Sequence, residues 1–353
     1  EGFLPGYNFP RLPLSAYLPG QRGKKDEYLS RPRFLAISEF GPGAVVYHEG
    51  SRFLVERVQV PASARHEEGK LLTGLAKLCT SCGYLHDGPN AKTADVCDRC
   101  GASLTGDSLV PNLFRLESVN LRRRDRITCD EEERMRQGYE LRTGVRFKGK
   151  SGSVQCVNGE VVLGDTVIAK VTYAQAATLW RINVGWNRRK SKELLGYKLD
   201  TDNGKWLSED GANKLMQDEA ETTALRVQTV VPYVEDRRNA LIFQWTSPLT
   251  MEQHASLQAA LKSAIQATFQ LEDSELAAEP LPSNQVRNSI LLFESAEGGA
   301  GVLRRLVEES DGIQRVATMA LEICHFDPET LEDLRKSPRS KSECSAACYD
   351  CLM

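Results

Sequence analysis

Hydrophobic spacing divides this chain near residue 248. Upstream, apolar and polar residues alternate over short runs, the period of two that marks half-buried strands. Downstream, apolar residues recur at four-residue steps, as on an amphipathic helix. Residues 1–33 fit neither pattern: Pro5, Pro10, Pro13, Pro19 and Pro32 exclude a long helix, so an extended strap with turns is expected. Arg33 to Val60 reads as a small antiparallel sheet or barrel, with strands at Phe34–Ile37, Ala44–Tyr47 and Phe53–Val55. Turns at Gly41-Pro42-Gly43 and Glu49-Gly50 separate them. Residues 151–172 predict a hairpin, Val154–Val157 and Val161–Leu163 flanking Asn158-Gly159. Residues 222–247 predict two strands, Ala224–Val234 and Ala240–Trp245, on either side of a charged turn from Glu235 to Asn239.

Beyond that point Thr250-Met251-Glu252-Gln253 has the form of a capping box. Leu257, Leu261, Ile265 and Phe269 then share one helical face. Ser289–Glu294 predicts a buried strand, and Gly298-Gly299-Ala300-Gly301 leads from it into a helix from Val302 to about Glu309. A cysteine-bearing helical segment is expected to close the chain.

Cysteine spacing changes this picture most. Eight of the ten cysteines fall into two quartets: Cys79-x-x-Cys82-Gly with Cys97-x-x-Cys100-Gly, and Cys324 with Cys344-x-x-x-Cys348-x-x-Cys351. Four thiolates so spaced can close a tetrahedral zinc site with no open position for chemistry. The first quartet reads as a zinc ribbon, its glycines supplying the positive φ that each knuckle needs. In the second, Cys344 and Cys348 would share a helix face, with Cys351 following, and His325 is a possible substitute for one cysteine. Cys129 and Cys156 are left over and read as buried free thiols.

The fold class expected is α+β, with a β-rich N-terminal half, an inserted zinc ribbon and a mixed α/β zinc-binding C-terminal domain. The divisions expected are a strap and small sheet over 1–74, the ribbon over 75–110, a β-rich basic region over 111–248 and the zinc-binding domain over 249–353.

With 353 residues, 41% hydrophobic and 26% charged, the composition is that of an ordinary globular protein. A net charge of −3 leaves any polyanion site to a local patch. No run of about eighteen apolar residues and no secretory signal pattern occurs, so no membrane partner is expected and the cytoplasm is the expected compartment. There, clustered cysteines mean metal more often than disulfides.

Two basic runs are candidate phosphate contacts. One is Arg122, Arg123 and Arg124, with Arg126 beyond; the other is Arg188, Arg189 and Lys190. The second follows Trp180 in the densest aromatic and basic interleaving of the chain, a composition that suits single-stranded nucleic acid. Trp180, Ile182 and Val184 also alternate as core positions of a strand, which would leave Arg181 and Asn183 facing water. Glu294 and Glu297 beside the glycine run would repel a phosphate, which favours a tight turn with close helix packing there over an anion cradle. A role for the pair as acid/base or metal groups has no partner nearby. The sequence contains no H-E-x-x-H pattern, and no catalytic residue is assigned.

Phe293-Glu294-Ser295-Ala296-Glu297-Gly298-Gly299-Ala300-Gly301-Val302-Leu303, together with Cys324 and Cys344-Ser-Ala-Ala-Cys348-Tyr349-Asp350-Cys351-Leu352, resembles the MrfA-type zinc-binding family, long called domain of unknown function 1998. Arg31-Pro32-Arg33-Phe34-Leu35-Ala36-Ile37-Ser38-Glu39-Phe40-Gly41-Pro42-Gly43 resembles the segment that follows the motor in such proteins. The resemblance implies a C-terminal accessory region of a superfamily 2 DEAD/DEAH-type helicase, acting on DNA in repair or in defence against phage. It implies zinc on Cys324, Cys344, Cys348 and Cys351, and leaves the ribbon unassigned. The resemblance places ATP and magnesium in a motor in cis or in trans. DNA, single-stranded or at a junction, is the implied substrate. Some relatives are separate subunits of the DISARM phage-restriction system, which adds a nuclease or methyltransferase as a possible partner. A scaffold that docks such a partner without touching nucleic acid is the alternative. The sequence starts at Glu1 without a methionine, which admits a piece of a longer polypeptide.

Overall fold

The computed structural model describes residues 13–20, 25–60, 70–124, 138–147, 149–150, 153–154, 156–218, 226–295, 299–336, 343–344 and 347–351, and every structural statement concerns these residues. Strict alternation makes β1 (Leu14–Leu18), whose Leu14, Ala16 and Leu18 are buried. It pairs antiparallel with β2 (Glu27–Arg31). The next apolar run departs from expectation. Phe34-Leu35-Ala36-Ile37 is not a strand but part of α1 (Arg33–Glu39), which starts after Pro32. A run of four apolar residues carries no period of its own. Burial of Ala36, Ile37 and Phe40, which share one helical face, decides the matter. β3 (Val45–His48) and β4 (Ser51–Val58) then form the expected hairpin, turning at Glu49 and Gly50, both with positive φ.

β5 (Gly74–Leu78), β6 (Leu85–Asp87) and the short α2 (Pro89–Thr93) surround the first cysteine pairs. β7 (Leu109–Arg115) and β8 (Ser118–Arg124) follow, then β9 (Tyr139–Arg146) and the two-residue strands β10 (Gly149–Lys150) and β11 (Ser153–Val154). β12 (Val157–Leu163) and β13 (Thr166–Trp186) form a hairpin, but its turn is Gly164-Asp165. Asn158 and Gly159 lie inside β12, opposite Thr172 and Val171. Either dipeptide can turn a hairpin. Turning at the later one keeps all of Val157–Leu163 paired, and the Thr172 hydroxyl donates to Asn158 Oδ1 at 3.0 Å.

β14 (Tyr197–Asp200), β15 (Lys205–Leu207) and α3 (Glu209–Asp218) lead into β16 (Val227–Trp245). The two strands expected here are one. Glu235 to Arg238 sit in mid-strand opposite Trp180, Leu179, Thr178 and Ala177 of β13. The charges are tolerated because Asp236 and Arg238 neutralise each other at 2.6 Å. α4 (Met251–Phe269) begins at the expected capping box on Thr250 and Gln253. β17 (Leu276–Pro282), β18 (Arg287–Glu294), α5 (Val302–Glu308) and α6 (Gly312–Ile323) complete the chain's regular elements.

One mixed sheet draws strands from each of the four expected segments. Its centre is the antiparallel pair β13–β16. β12 and β9 lie along the outer edge of β13, and β14, β7 and β18 along that of β16. The apolar faces of α4, α5 and α6 pack with Leu241, Phe243, Ile290 and Leu292. Phe34 of α1 reaches the ribbon's apolar cluster, meets the Phe293 ring edge-on at 6.1 Å, and lies under the Arg181 and Arg238 guanidiniums at 5.3 and 5.4 Å.

Among the described glycines, Gly204 makes the closest approach to another stretch of backbone. Its φ is +70° and an added Cβ would lie 2.1 Å from the Val58 carbonyl oxygen. Gly204→Ala should therefore destabilise the fold by more than about 1–3 kcal/mol, read as a lower urea midpoint. Gly106→Ala, with nothing within 4 Å, should stay within about 0.5 kcal/mol of the parent. Equal midpoints for the two variants would contradict the β4–β15 contact.

Candidate metal centres and the basic strand

The ribbon consists of two matching knuckles. Gly83 N–H donates to the Cys79 carbonyl and Gly101 N–H to the Cys97 carbonyl, both at 2.9 Å, with φ of +71° and +72° at the glycines. Cys79 N–H closes on Tyr84 O and Cys97 N–H on Ala102 O. The four sulfurs lie within 4.8 Å of one another. Cys79–Cys100 and Cys82–Cys97 are 3.6 and 3.7 Å apart. A ZnS₄ tetrahedron with bonds of about 2.3 Å has edges of about 3.8 Å, so the donor set fits zinc. Burial raises the Cys79 thiol; the hydrogen bond to Cys97, then burial, raises Cys82. Four thiols held this close cannot all ionise without a cation among them. His86 is buried beside Cys97, with Nδ1 3.4 Å from Asp98 Oδ2.

The ribbon is not a free appendage. Cys79, Cys82 and Cys97 belong to an apolar cluster with Leu281, Leu291 and Phe293. Gly83 O accepts from Val145 N–H, and Ser81 O accepts from Asn288 Nδ2. These bonds sew the first knuckle into the sheet.

At the C-terminus the expected helix over Cys344–Cys351 is absent from the described residues, of which residues 349–351 form a turn. Cys351 N–H donates to Cys348 O at 3.1 Å, and Cys348 N–H to Cys351 Sγ at 3.0 Å. The turn brings the Cys348 and Cys351 sulfurs together with that of Cys344. The group whose donor atoms lie within 4.8 Å is His325, Cys344, Cys348 and Cys351. Cys324 caps α6, half-buried and outside that group. Of the leftover cysteines, Cys156 is partly exposed and not buried as expected, while Cys129 lies outside the described residues.

Glu294 has a structural task. Its carboxylate is almost wholly buried and accepts from Leu303 N–H at 2.9 Å, Gly301 N–H at 3.2 Å and Asn239 Nδ2 at 2.9 Å. It therefore supplies the negative end that the first turn of α5 needs. Gly299 must lack a side chain, because a Cβ would lie 2.1 Å from Glu294 Oε2. Glu297 and Gly298 lie outside the described residues.

The two basic runs differ in kind. Arg122, Arg123 and Arg124 are all exposed on β8. Arg122 pairs with Glu56 at 2.9 Å, and Arg123 donates to the Ser51 hydroxyl. Cross-strand register sets Arg52 opposite Arg124, and Arg57 and Lys205 share Glu56, both at 3.9 Å. Several cations thus gather around one carboxylate, and Arg52, Arg57 and Lys205 escaped sequence reading because they come from other strands. In the second run Arg188 and Lys190 are exposed, but Arg189 is mostly buried, bonding Glu140 at 2.9 Å and the carbonyls of Trp186 and Lys192. Arg126 lies outside the described residues. Trp180 is core, stacked on Tyr233 with centroids 4.4 Å apart. Arg181 and Asn183 do not face water as expected. Arg181 pairs with Glu279, and Asn183 is buried, accepting from the Tyr197 hydroxyl at 2.6 Å. Both faces of β13 are covered here, so alternation no longer separates core from solvent.

Glu294→Ala leaves the α5 amides and Asn239 without their acceptor. It should destabilise the fold by about 1–3 kcal/mol, measured by urea unfolding, with zinc content unchanged. Unaltered stability would contradict the capping role.

Residues 257–352 match the family model described as the MrfA Zn-binding domain. No curated protein matches the chain. Three solved structures are similar to it. A DUF1998 helicase MrfA bound to DNA is 9% identical, with 92% of this chain and 32% of that chain covered and a TM-score of 0.41. The same helicase bound to DNA and AMPPNP is 9% identical, with 89% and 28% covered and a TM-score of 0.33. A third MrfA structure is 10% identical, with 96% and 32% covered and a TM-score of 0.32. The chain spans about a third of the length of these proteins. The cysteines of the last turn, gathered as a metal site requires, fall within the segment 257–352 that matches the MrfA Zn-binding domain model.

Proposed function

We propose that this chain is a zinc-binding accessory region of an ATP-dependent superfamily 2 DNA helicase or translocase, bracing the motor and guiding DNA in repair or phage defence. The observation that carries the reading is the coexistence of the MrfA Zn-binding match with two separate cysteine-rich centres on one sheet. The ribbon takes zinc on Cys79, Cys82, Cys97 and Cys100, and the second centre takes it at the C-terminal turn. Neither centre leaves an open coordination position, so both are structural. ATP and magnesium belong to the motor.

Guidance of DNA falls to the exposed cations. Arg122, Arg123 and Arg124, backed by Arg52, Arg57 and Lys205, neutralise phosphates without reading sequence. Arg188 and Lys190 form a smaller second patch, and Arg189 holds the loop that carries them. A scaffold reading keeps one observation in its favour: Val162 and Leu163 on β12 are 59% and 72% exposed, an apolar edge that suits a protein partner.

Binding of single-stranded DNA to the intact chain, titrated against salt, separates these readings. Reversing Arg122, Arg123 and Arg124 to Glu should weaken binding and flatten the log–log salt slope by about 0.7 for each phosphate no longer neutralised. Arg189→Glu should instead lower stability. No binding of the parent chain at low salt, or an unchanged slope in the triple variant, overturns the guiding role.

A further inference from the structure

α6 ends in a Schellman motif. His325 N–H donates to the Glu322 carbonyl at 3.1 Å and Phe326 N–H to the Leu321 carbonyl at 2.9 Å. His325 therefore occupies the position one residue past the cap, where the backbone turns left-handed, with φ of +67°. Glycine is the usual occupant because it carries no Cβ penalty. An imidazole here is uncommon and strained, and strain of this kind persists where the side chain is needed.

The imidazole is also enclosed. His325 is 4% exposed, Nε2 lies 3.2 Å from Cys348 Sγ, and Nδ1 is buried with no hydrogen-bond partner among the described residues. A buried polar ring held by one thiol is poorly compensated. In a tetrahedral site with three sulfurs and one imidazole, sulfur and nitrogen sit about 3.5 Å apart, close to what is seen. Cys344 Sγ and Cys351 Sγ are 3.8 Å apart, the edge expected for two thiolates on one zinc. Cys324, by contrast, ends the helix one residue earlier, and its thiol stands outside the cluster.

We propose that the fourth ligand of the C-terminal zinc is His325 through Nε2, completing Cys344, Cys348 and Cys351, and that Cys324 is not a ligand. This rests on the reading that the C-terminal turn holds zinc. The left-handed turn after α6 sets the imidazole at the site in place of the preceding thiol. With three thiolates and one neutral imidazole, the centre carries a net charge of −1, where four thiolates would give −2.

Zinc content of the purified intact chain and of its variants tests the assignment. Cys324→Ser should keep the zinc of the parent. His325→Ala should lose one zinc per chain, and His325→Cys should regain it. Zinc X-ray absorption of the parent should show imidazole scattering beside sulfur, and that signal should vanish in the His325→Cys variant. The parent spectrum does not depend on any variant folding. Loss of zinc in Cys324→Ser, retention in His325→Ala, or an all-sulfur spectrum of the parent overturns the assignment. Failure of the underlying reading looks different: a Cys344→Ser, Cys348→Ser double variant would then hold as much zinc as the parent.

Discussion

Buried charge in the middle of a long strand pair is the constraint around which this molecule is arranged. β13 and β16 run side by side for much of their length, and Arg181 and Arg238 project from them into the layer where α1, β17 and β18 meet. Guanidiniums taken out of water need both hydrogen bonds and opposite charge. Arg181 finds Glu279 of β17, and Arg238 finds Asp236 and the Glu294 and Ser295 carbonyls. Phe34 covers both cations with its ring face, which fixes α1 against the sheet. The same interactions bring β18 to the point where Glu294 caps α5, so the middle of the central pair also sets where the C-terminal helices begin.

The two cysteine centres relate to this frame differently. The ribbon lies within it: three of its sulfurs are core atoms beside Leu281, Leu291 and Phe293. Loss of its metal would loosen the sheet's interior as well as the ribbon. The C-terminal centre hangs from the end of α6, and the described residues it gathers have little apolar burial of their own. Metal binding that supplies about 10–16 kcal/mol in small zinc domains is ample to order such a turn. The basic strand β8 stands in the N-terminal part of the sheet, joined to the frame through β4, β15 and β14.

Much of this was legible where one local rule decides. The capping box and four-residue steps of Met251–Phe269, the Glu49-Gly50 hairpin and the knuckle spacing at Cys79–Cys82 and Cys97–Cys100 each specify a local geometry. Legibility ended where the deciding partner is distant. Phe34–Ile37 has no period until the core chooses a face. Glu235–Arg238 reads as a turn until β13 pairs with it. Glu294 looks like an idle or reactive carboxylate until Asn239, 55 positions away, and the α5 amides close on it. Asn183 reads as a solvent position until Tyr197 covers it. At the C-terminus the family pattern points to Cys324, whereas the left-handed turn at His325 is visible only in the backbone.

Native mass spectrometry of the intact chain tests the central claim, that two metal centres hold one sheet and its C-terminal turn, most directly. The account predicts a mass shift of two zinc ions per chain, both lost together with the compact charge-state distribution when the protein is acidified. A compact chain carrying one zinc or none would contradict it.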